Sequence, residues 1–331
     1  MREENNKQTI LDEINGAIRW HLLNGAVDLE LFDLLSSWTT AEEVAAVKHL
    51  DAAKAALFLD ALTACGYVDK FAGRYINTLP AQQYLNSTSE LYQGSVFRRM
   101  SALRLRGLDQ LPELLRGGDV AALRLEAEAI WARASEHLIA FQKSIAAPLL
   151  ARLDALGRMA DVKRVLDLGC GPGHLGLSVK DVYPHVALTL LDLPAVMEKT
   201  RDYAAHHTAD GTITFTAGNY NRDDLGGDYD LVIAARSLYY AEDLQRLMAK
   251  LFAAMRPGGV LLCVHEGLYN ERTAPADVVI SRIGVALRGS DVSLERGAQE
   301  QAMQRAGFRI DALHNDNSLG GNSDLVVGVR P

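Results

Sequence analysis

The stretch RVLDLGCGPGHLG, residues 164–176, sets three glycines into five positions directly behind an aliphatic run, and its reading decides the fold. Val165, Leu166 and Leu168 read as a short buried strand, and residues 174–182 read as the opening of a helix. The unit is therefore strand, glycine turn, helix. Glycine is required where the backbone takes positive φ or where a ligand comes within contact distance of its N–H groups. The helix start behind the turn adds unpaired donors and a partial positive charge. Such a turn suits a polar or anionic piece of a ligand.

Gly169, Gly171 and Gly173 also satisfy the spacing of a dinucleotide site, and a turn kept only for close strand–helix packing would look the same. The neighbours discriminate. Asp167 stands two positions before the first glycine, where a dinucleotide fold usually keeps an apolar residue. Asp192 ends the next aliphatic run, VALTLLDLP (residues 186–194), about where a ribose hydroxyl needs an acceptor. An acidic residue at each strand end suits a cationic, nucleoside-bearing ligand better than a pyrophosphate. With these residues the stretch resembles the S-adenosyl-L-methionine turn of class I methyltransferases, whose usual form is an acidic residue, one spacer and G-x-G-x-G. The likeness continues in order through DLP (192–194), FTAGNY (215–220), DYDLVIAARSLYYAED (228–243) and MRPGGVLLCV (255–264).

That resemblance implies an α/β fold with a Rossmann-like, mostly parallel seven-stranded sheet, and S-adenosyl-L-methionine as cofactor. It also implies roles for single residues. Asp167 is expected near the methionine amino group, Gly169 and Gly171 at close backbone approach, Asp192 on the ribose hydroxyls and Leu193 against the adenine. Within Gly218, Asn219 and Tyr220 the family more often has Asp at the middle position, but the Asn219 amide offers the adenine edge both a donor and an acceptor. Arg236 is expected close to the cofactor, with a plain surface arginine as the alternative.

At 331 residues the chain is long for one core and implies two domains. A formal net charge of −8 argues against nucleic acid or an anionic membrane as a partner. The start, MREENNKQT, lacks the basic and apolar regions of a signal peptide, and no apolar run approaches the roughly 20 residues that span a bilayer. A cytoplasmic location is the expectation. Cys65, Cys170 and Cys263 are odd in number and far apart, so they read as reduced packing residues, and no metal site is visible.

Upstream, apolar residues in 9–35 recur at helical spacing but spread wider than one stripe, with a break expected around Asn24 and Gly25. TAEE (40–43) is a capping box. Asp51 then caps a second helix running to Gly66, and YVDKFAGRYINT (67–78) reads as a hairpin turning at Ala72 and Gly73. Helix, helix and hairpin make a winged-helix pattern. Its presumed recognition helix carries Lys54 as the sole base, which argues against DNA binding.

The pattern is similar to the N-terminal dimerisation domain of small-molecule O-methyltransferases from plants and bacterial natural-product pathways. This implies a homodimer whose partner chain helps wall the active site, and the surplus apolar surface of residues 10–35 suits it. The boundaries expected are 1–85 for a winged-helix-like, mainly helical dimerisation domain, 86–157 for a helical linker that roofs the substrate cavity, with a break near Gly117 and Gly118, and 158–331 for the methyltransferase domain. In the resembled family the roof faces substrate, so Trp131, His137 and Phe141 are candidate substrate contacts, ordinary core being the alternative.

One departure bears on chemistry. Where family O-methyltransferases typically read Leu-His-Asp/Asn-Trp, with the histidine taking the proton from the attacking hydroxyl, this chain has Leu238, Tyr239, Tyr240 and Ala241. Tyrosine, titrating near pH ~10, is a poor base at neutral pH but orients a substrate well. His265, at the expected end of the fifth strand and followed by Glu266, is the candidate replacement. A structural histidine is the alternative. His206 and His207 are expected on the solvent side of a helix. Tyr239, Tyr240 and His265 are thus the candidate catalytic residues, and Tyr240 is a candidate substrate contact too. The reading is a methyltransferase of a small aromatic or polyketide-like metabolite, acting on oxygen without the usual base. N- or C-methylation, or cofactor binding without transfer, are the alternatives.

Overall fold

A computed structural model describes residues 7–117, 128–205, 212–289, 291–319 and 321–331. Gly118, His206 and His207 lie outside the described residues. The chain divides into two compact units, residues 1–99 and 100–331.

In the first unit, helix α1 (Lys7–Asp28) runs straight through Asn24 and Gly25, so the expected break does not occur there. Ala26 and Val27 are buried with Leu31, Phe32, Leu59 and Leu62, and that burial offsets the ~1 kcal/mol that a glycine costs inside a helix. The chain turns later, at Glu30, in left-handed conformation. Helix α2 (Ala41–Lys48) opens with the expected box: Glu43 N–H donates to Thr40 Oγ1 (3.2 Å) and Thr40 N–H to Glu43 Oε2 (2.7 Å). Helix α3 (Ala52–Ala64) opens with Lys54 N–H donating to Asp51 Oδ1 at 2.9 Å. Strands β1 (Val68–Phe71) and β2 (Arg74–Asn77) form the hairpin, and Ala72 and Gly73 both take positive φ as its two-residue turn demands. Thr39–Thr40 pairs with β2 as a third strand, in an otherwise largely helical unit. Ile10, Ile14 and Ile18 stay more than half exposed on α1.

Helix α4 (Gly94–Leu105) crosses the division between the units, and helix α5 (Glu128–Asp154) belongs to the second. Then strands alternate with helices: β3 (Arg164–Leu168), α6 (His174–Val182), β4 (Ala187–Asp192), α7 (Pro194–Ala204), β5 (Ile213–Ala217), β6 (Tyr229–Ala235), α8 (Leu244–Ala254) and β7 (Met255–His265). Helices α9 (Ala276–Ala286) and α10 (Ala298–Ala306) precede β8 (Arg309–Asp316) and β9 (Ser323–Val329). The seven strands form one sheet in the order β8-β9-β7-β6-β3-β4-β5. β3 to β7 are mutually parallel, and β9 enters antiparallel beside β7. This is the Rossmann-like, mostly parallel seven-stranded sheet expected from the glycine turn.

Alternation along each strand divides the apolar residues between two cores. Val165, Leu188, Ile233 and Leu262 face one side with Ile145, Leu149 and Leu153 of α5. Leu166, Leu191, Val232 and Leu261 face the other with Leu247, Leu251 and Met303 of α8 and α10. The C-terminal half of α5 is thus part of the sheet's own core. No described helix is long and apolar enough to cross a membrane. Because each cap satisfies a donor that the first helical turn leaves open, Thr40→Ala and Asp51→Ala should each cost the first unit about 0.5–2 kcal/mol, read by urea unfolding.

Candidate functional site

The cavity sits where β3, β4 and β6 end, the crevice in which open α/β sheets place ligands. Its volume is about 540 Å³. Gly169, Gly171 and Gly173 all take positive φ, as the turn was expected to need. At Gly169 sterics forbid a side chain as well, since an added Cβ would lie 2.6 Å from Ser237 Cβ. The turn is strapped to β4: Gly169 N–H and Cys170 N–H donate to Leu191 O (2.9 and 3.1 Å), and Gly171 N–H donates to Asp192 Oδ2 at 2.7 Å. The other Asp192 oxygen accepts from Leu193 N–H at 2.7 Å.

Of the expected cofactor residues, Gly169, Gly171, Asp192, Leu193, Gly218, Asn219, Tyr220 and Arg236 all line this cavity. Asn219 Oδ1 accepts from Asn221 N–H at 2.9 Å, which turns the loop and leaves the amide N–H₂ as the group suited to a ligand acceptor. Tyr220 is nearly buried, donates its hydroxyl to Ser237 O at 2.6 Å, and has its titration pushed far up by burial.

Asp167 is different. It is buried, does not line the cavity, and accepts from Gly176 N–H at 3.0 Å. The N-cap of α6, Gly173, has no side chain, so the Asp167 carboxylate caps that helix from the strand. Gly176 is part of the same arrangement, because an added Cβ would lie 2.9 Å from Asp167 Oδ2 and 2.7 Å from Leu190 Cδ2. Burial pushes the Asp167 pKa up to about 7, with the Asp192 charge adding to the rise and the Gly176 hydrogen bond opposing it.

Trp131 and Phe141 of α5 line the cavity with Tyr240, and Trp131 lies against Tyr240 with ring centroids 4.9 Å apart. The side chain of His137 lies outside the described residues. Tyr239 and His265 do not line the cavity. Their rings lie against one another, tilted by 47° with centroids 3.8 Å apart, and His265 is fully buried, so its imidazole does not open into the cavity. The main-chain oxygen of Glu266 lies 2.6 Å from His265 Nδ1 and accepts only from a protonated nitrogen, which assigns the hydrogen to Nδ1. Burial, reinforced by Arg282 and Arg236, draws the His265 pKa well below its ordinary value and keeps the ring neutral.

Three features carried no motif in the sequence. Gln142 of α5 brackets the glycine turn, donating to Cys170 O (2.9 Å) and accepting from Leu175 N–H (3.3 Å). Asn221 joins the loops after β5 and β6 through Tyr240 O and Glu242 N–H. Glu266 receives both Arg236 and Arg282, the latter at 2.9 Å, while Arg236 also lies over the Phe141 ring at 5.3 Å. Each is a contact between segments distant in sequence, so no local spacing announces it.

The sheet order, the glycine turn and the Asp192 carboxylate at the end of β4 are those of a nucleoside-binding methyltransferase core. The O-methyltransferase domain family matches residues 83–309, and the chain belongs to that family of S-adenosyl-L-methionine-dependent methyltransferases. An N,N-dimethyltransferase, OxyT, of Streptomyces rimosus is 28% identical over 326 residues, covering 93% of this chain and 92% of its own. The 3-hydroxy-5-methyl-1-naphthoate 3-O-methyltransferase of Streptomyces sahachiroi is 25% identical over 82% of this chain and 80% of its own. Among solved structures, an O-methyltransferase family protein from Burkholderia thailandensis superposes with a TM-score of 0.80 at 24% identity, covering 99% of each chain.

Asp167 supplies a pH prediction. Its ordinary value is 3.8, so between about pH 4 and 7 the folded protein holds a proton that the unfolded chain has lost. Stability therefore falls as pH rises through this window and levels off above it, by an amount of order 4 kcal/mol. Asp167→Asn keeps an acceptor for Gly176 N–H without a charge and should remove most of that slope. Urea unfolding at pH 5 and pH 8 reads it, and an unchanged slope would contradict the assignment.

Proposed function

We propose that this enzyme transfers a methyl group to oxygen on a small aromatic or polyketide-like metabolite, and that it does so without an imidazole base at the position where the family usually carries one. What supports the reading is a single cavity bounded by the glycine turn and Asp192 on one side and by Trp131, Phe141 and Tyr240 on the other. The residues fit the cofactor. Asp192 would accept from the ribose hydroxyls, Leu193 and Gly218 would flank the adenine, the Asn219 amide would donate to the adenine edge, and Gly169 and Gly171 would let the methionyl portion approach the backbone. Tyr220 backs this wall. Asp167 acts from beneath as a positioning residue, by holding the turn and α6 together.

When bound, S-adenosyl-L-methionine supplies an electrophilic methyl on a sulfonium, and the reaction is an in-line displacement. The chain's own residues position the acceptor and exclude water. Tyr240 and Trp131, with rings tilted 56° to one another, present an aromatic wall to the substrate, and Phe141 extends it toward Arg236. His265 is fully buried and does not line the cavity, so it is not placed to take a proton from an acceptor there, and an acceptor oxygen that is already ionised suits the site best. N-methylation is the second reading, favoured by the N,N-dimethyltransferase relative and by an amine's lack of need for a base.

The exposed Ile10, Ile14 and Ile18 suit a homodimer built through α1. Light scattering should report a dimer at micromolar concentration, and a monomer would contradict this. For the chemistry, turnover with methyl-labelled cofactor should fall by about tenfold or less in each of Tyr239→Phe, Tyr240→Phe and His265→Ala, against the 10²–10⁴ expected for a lost general base. A collapse of the larger size in His265→Ala, with cofactor affinity intact, would show a relocated base.

A further inference from the structure

Three consecutive side chains of the loop after β5 hold the turn after β6. Tyr220 Oη donates to Ser237 O at 2.6 Å, at the start of that turn. The Asn221 carboxamide holds its end, with Nδ2 donating to Tyr240 O at 2.9 Å and Oδ1 accepting from Glu242 N–H at 3.0 Å. Arg222 pairs with the Glu242 carboxylate at 2.8 Å. All six of these residues line the cavity. The Arg222–Glu242 pair is exposed on both sides and adds little, so the link is carried by the buried Tyr220 and by Asn221.

The two segments are not equally firm. Within the turn the bonds are long, 3.4 Å from Tyr240 N–H to Ser237 O and 3.2 Å from Ala241 N–H to Leu238 O, against an ordinary N–H···O length of about 2.9 Å. The loop after β5 is braced from α8, where Arg246 Nη2 donates to Asn221 O (2.6 Å) and Lys250 Nζ donates to Tyr220 O and Asp223 O (2.7 Å each). Gly218 N–H, donating to Asp192 O at 2.9 Å, ties the same loop to β4. The firmer loop therefore sets the place of the turn. That turn carries Tyr240, whose ring stands against Trp131 in the aromatic wall.

We infer that Asn221 is a positioning residue that couples the cofactor end of the cavity to its acceptor end. Both ends of its carboxamide are bonded to the turn, so it acts through Tyr240 and not on a ligand. A cofactor seated against Gly218 and Asn219 restrains their loop, and the two bonds of Asn221 pass that restraint to residues 240–242. Ordering one partner of a two-point hydrogen bond removes freedom from the other. The acceptor wall thus tightens when the cofactor binds. This rests on the methyltransferase reading, because it requires an S-adenosyl ligand against the loop after β5.

Backbone amide hydrogen exchange of the full chain, with and without saturating S-adenosylhomocysteine, tests the coupling. In the unaltered protein the ligand should slow exchange over residues 169–176, and over 238–244 by about fivefold or more. In Asn221→Ala and Asn221→Asp it should still slow 169–176 and bind within about threefold of the unaltered protein, while its effect on 238–244 falls to about twofold or less. Asn221→Asp is the sharper variant, since it keeps an acceptor for Glu242 N–H and turns an oxygen toward Tyr240 O in place of the donor. A side chain that merely braced the turn would alter exchange there equally with and without ligand, so the ligand-dependent difference is what reads positioning. Ligand binding with no slowing over 238–244 in the unaltered protein, a result that requires no variant to fold, would overturn the inference. So would slowing that survives in both variants. Failure of the unaltered protein to bind S-adenosylhomocysteine at all, read by calorimetry in the same preparation, would overturn the methyltransferase reading and this inference with it.

Discussion

The Asp192 carboxylate holds together two loops that the rest of the site depends on. One oxygen takes the N–H of Gly171 and the other takes that of Leu193, both at 2.7 Å. The main-chain oxygen of Asp192 accepts from Gly218 N–H at 2.9 Å, so one residue at the end of β4 ties the loops after β3 and β5 to its own. Charge-assisted bonds of this kind are short and directional. They set the spacing between the glycine turn and the loops after β4 and β5 that line the same cavity.

Beneath that turn Asp167 performs a second restraint that the sequence pattern misattributes. The motif places an acidic residue before the glycines, and the resemblance to class I methyltransferases implies a place for it near the ligand's methionine amino group. In the fold the carboxylate points into the core to cap α6 at Gly176, because Gly173 has no side chain for the task. The two acidic strand ends divide the work: Asp192 is at the cavity and Asp167 supports it from inside. A buried carboxylate with a pKa near 7 is the cost of that support.

Legibility in the sequence followed the range of the interaction. The strand over 164–168, the helix over 174–182, the caps at Thr40 and Asp51 and the turn at Ala72 and Gly73 depend on neighbours a few residues away, and all are where the local pattern puts them. Gly25 misled because a helix-weakening residue was read without the burial of Ala26 and Val27 beside it. His265 misled because a strand end near the site says nothing of the ring's direction. Gln142 on the glycine turn joins segments 28 residues apart, and no periodicity records such a contact. The tyrosine pair, by contrast, was conspicuous as a departure. Tyr240 faces the cavity while Tyr239 turns inward onto His265, a split that only the three-dimensional path of Leu238–Tyr240 reveals.

The proposed S-adenosyl-L-methionine site rests on the strand-end carboxylate at Asp192 and the glycine turn it grips. Calorimetric titration of the unaltered protein and of Asp192→Ala with S-adenosylhomocysteine, alongside NAD, tests it most directly. One site per chain of about micromolar affinity is expected, weakened by ~1–3 kcal/mol in the variant, the range for leaving a buried polar partner unpaired, with no comparable binding of NAD. Equal affinity of variant and parent, or a preference for NAD, would contradict it.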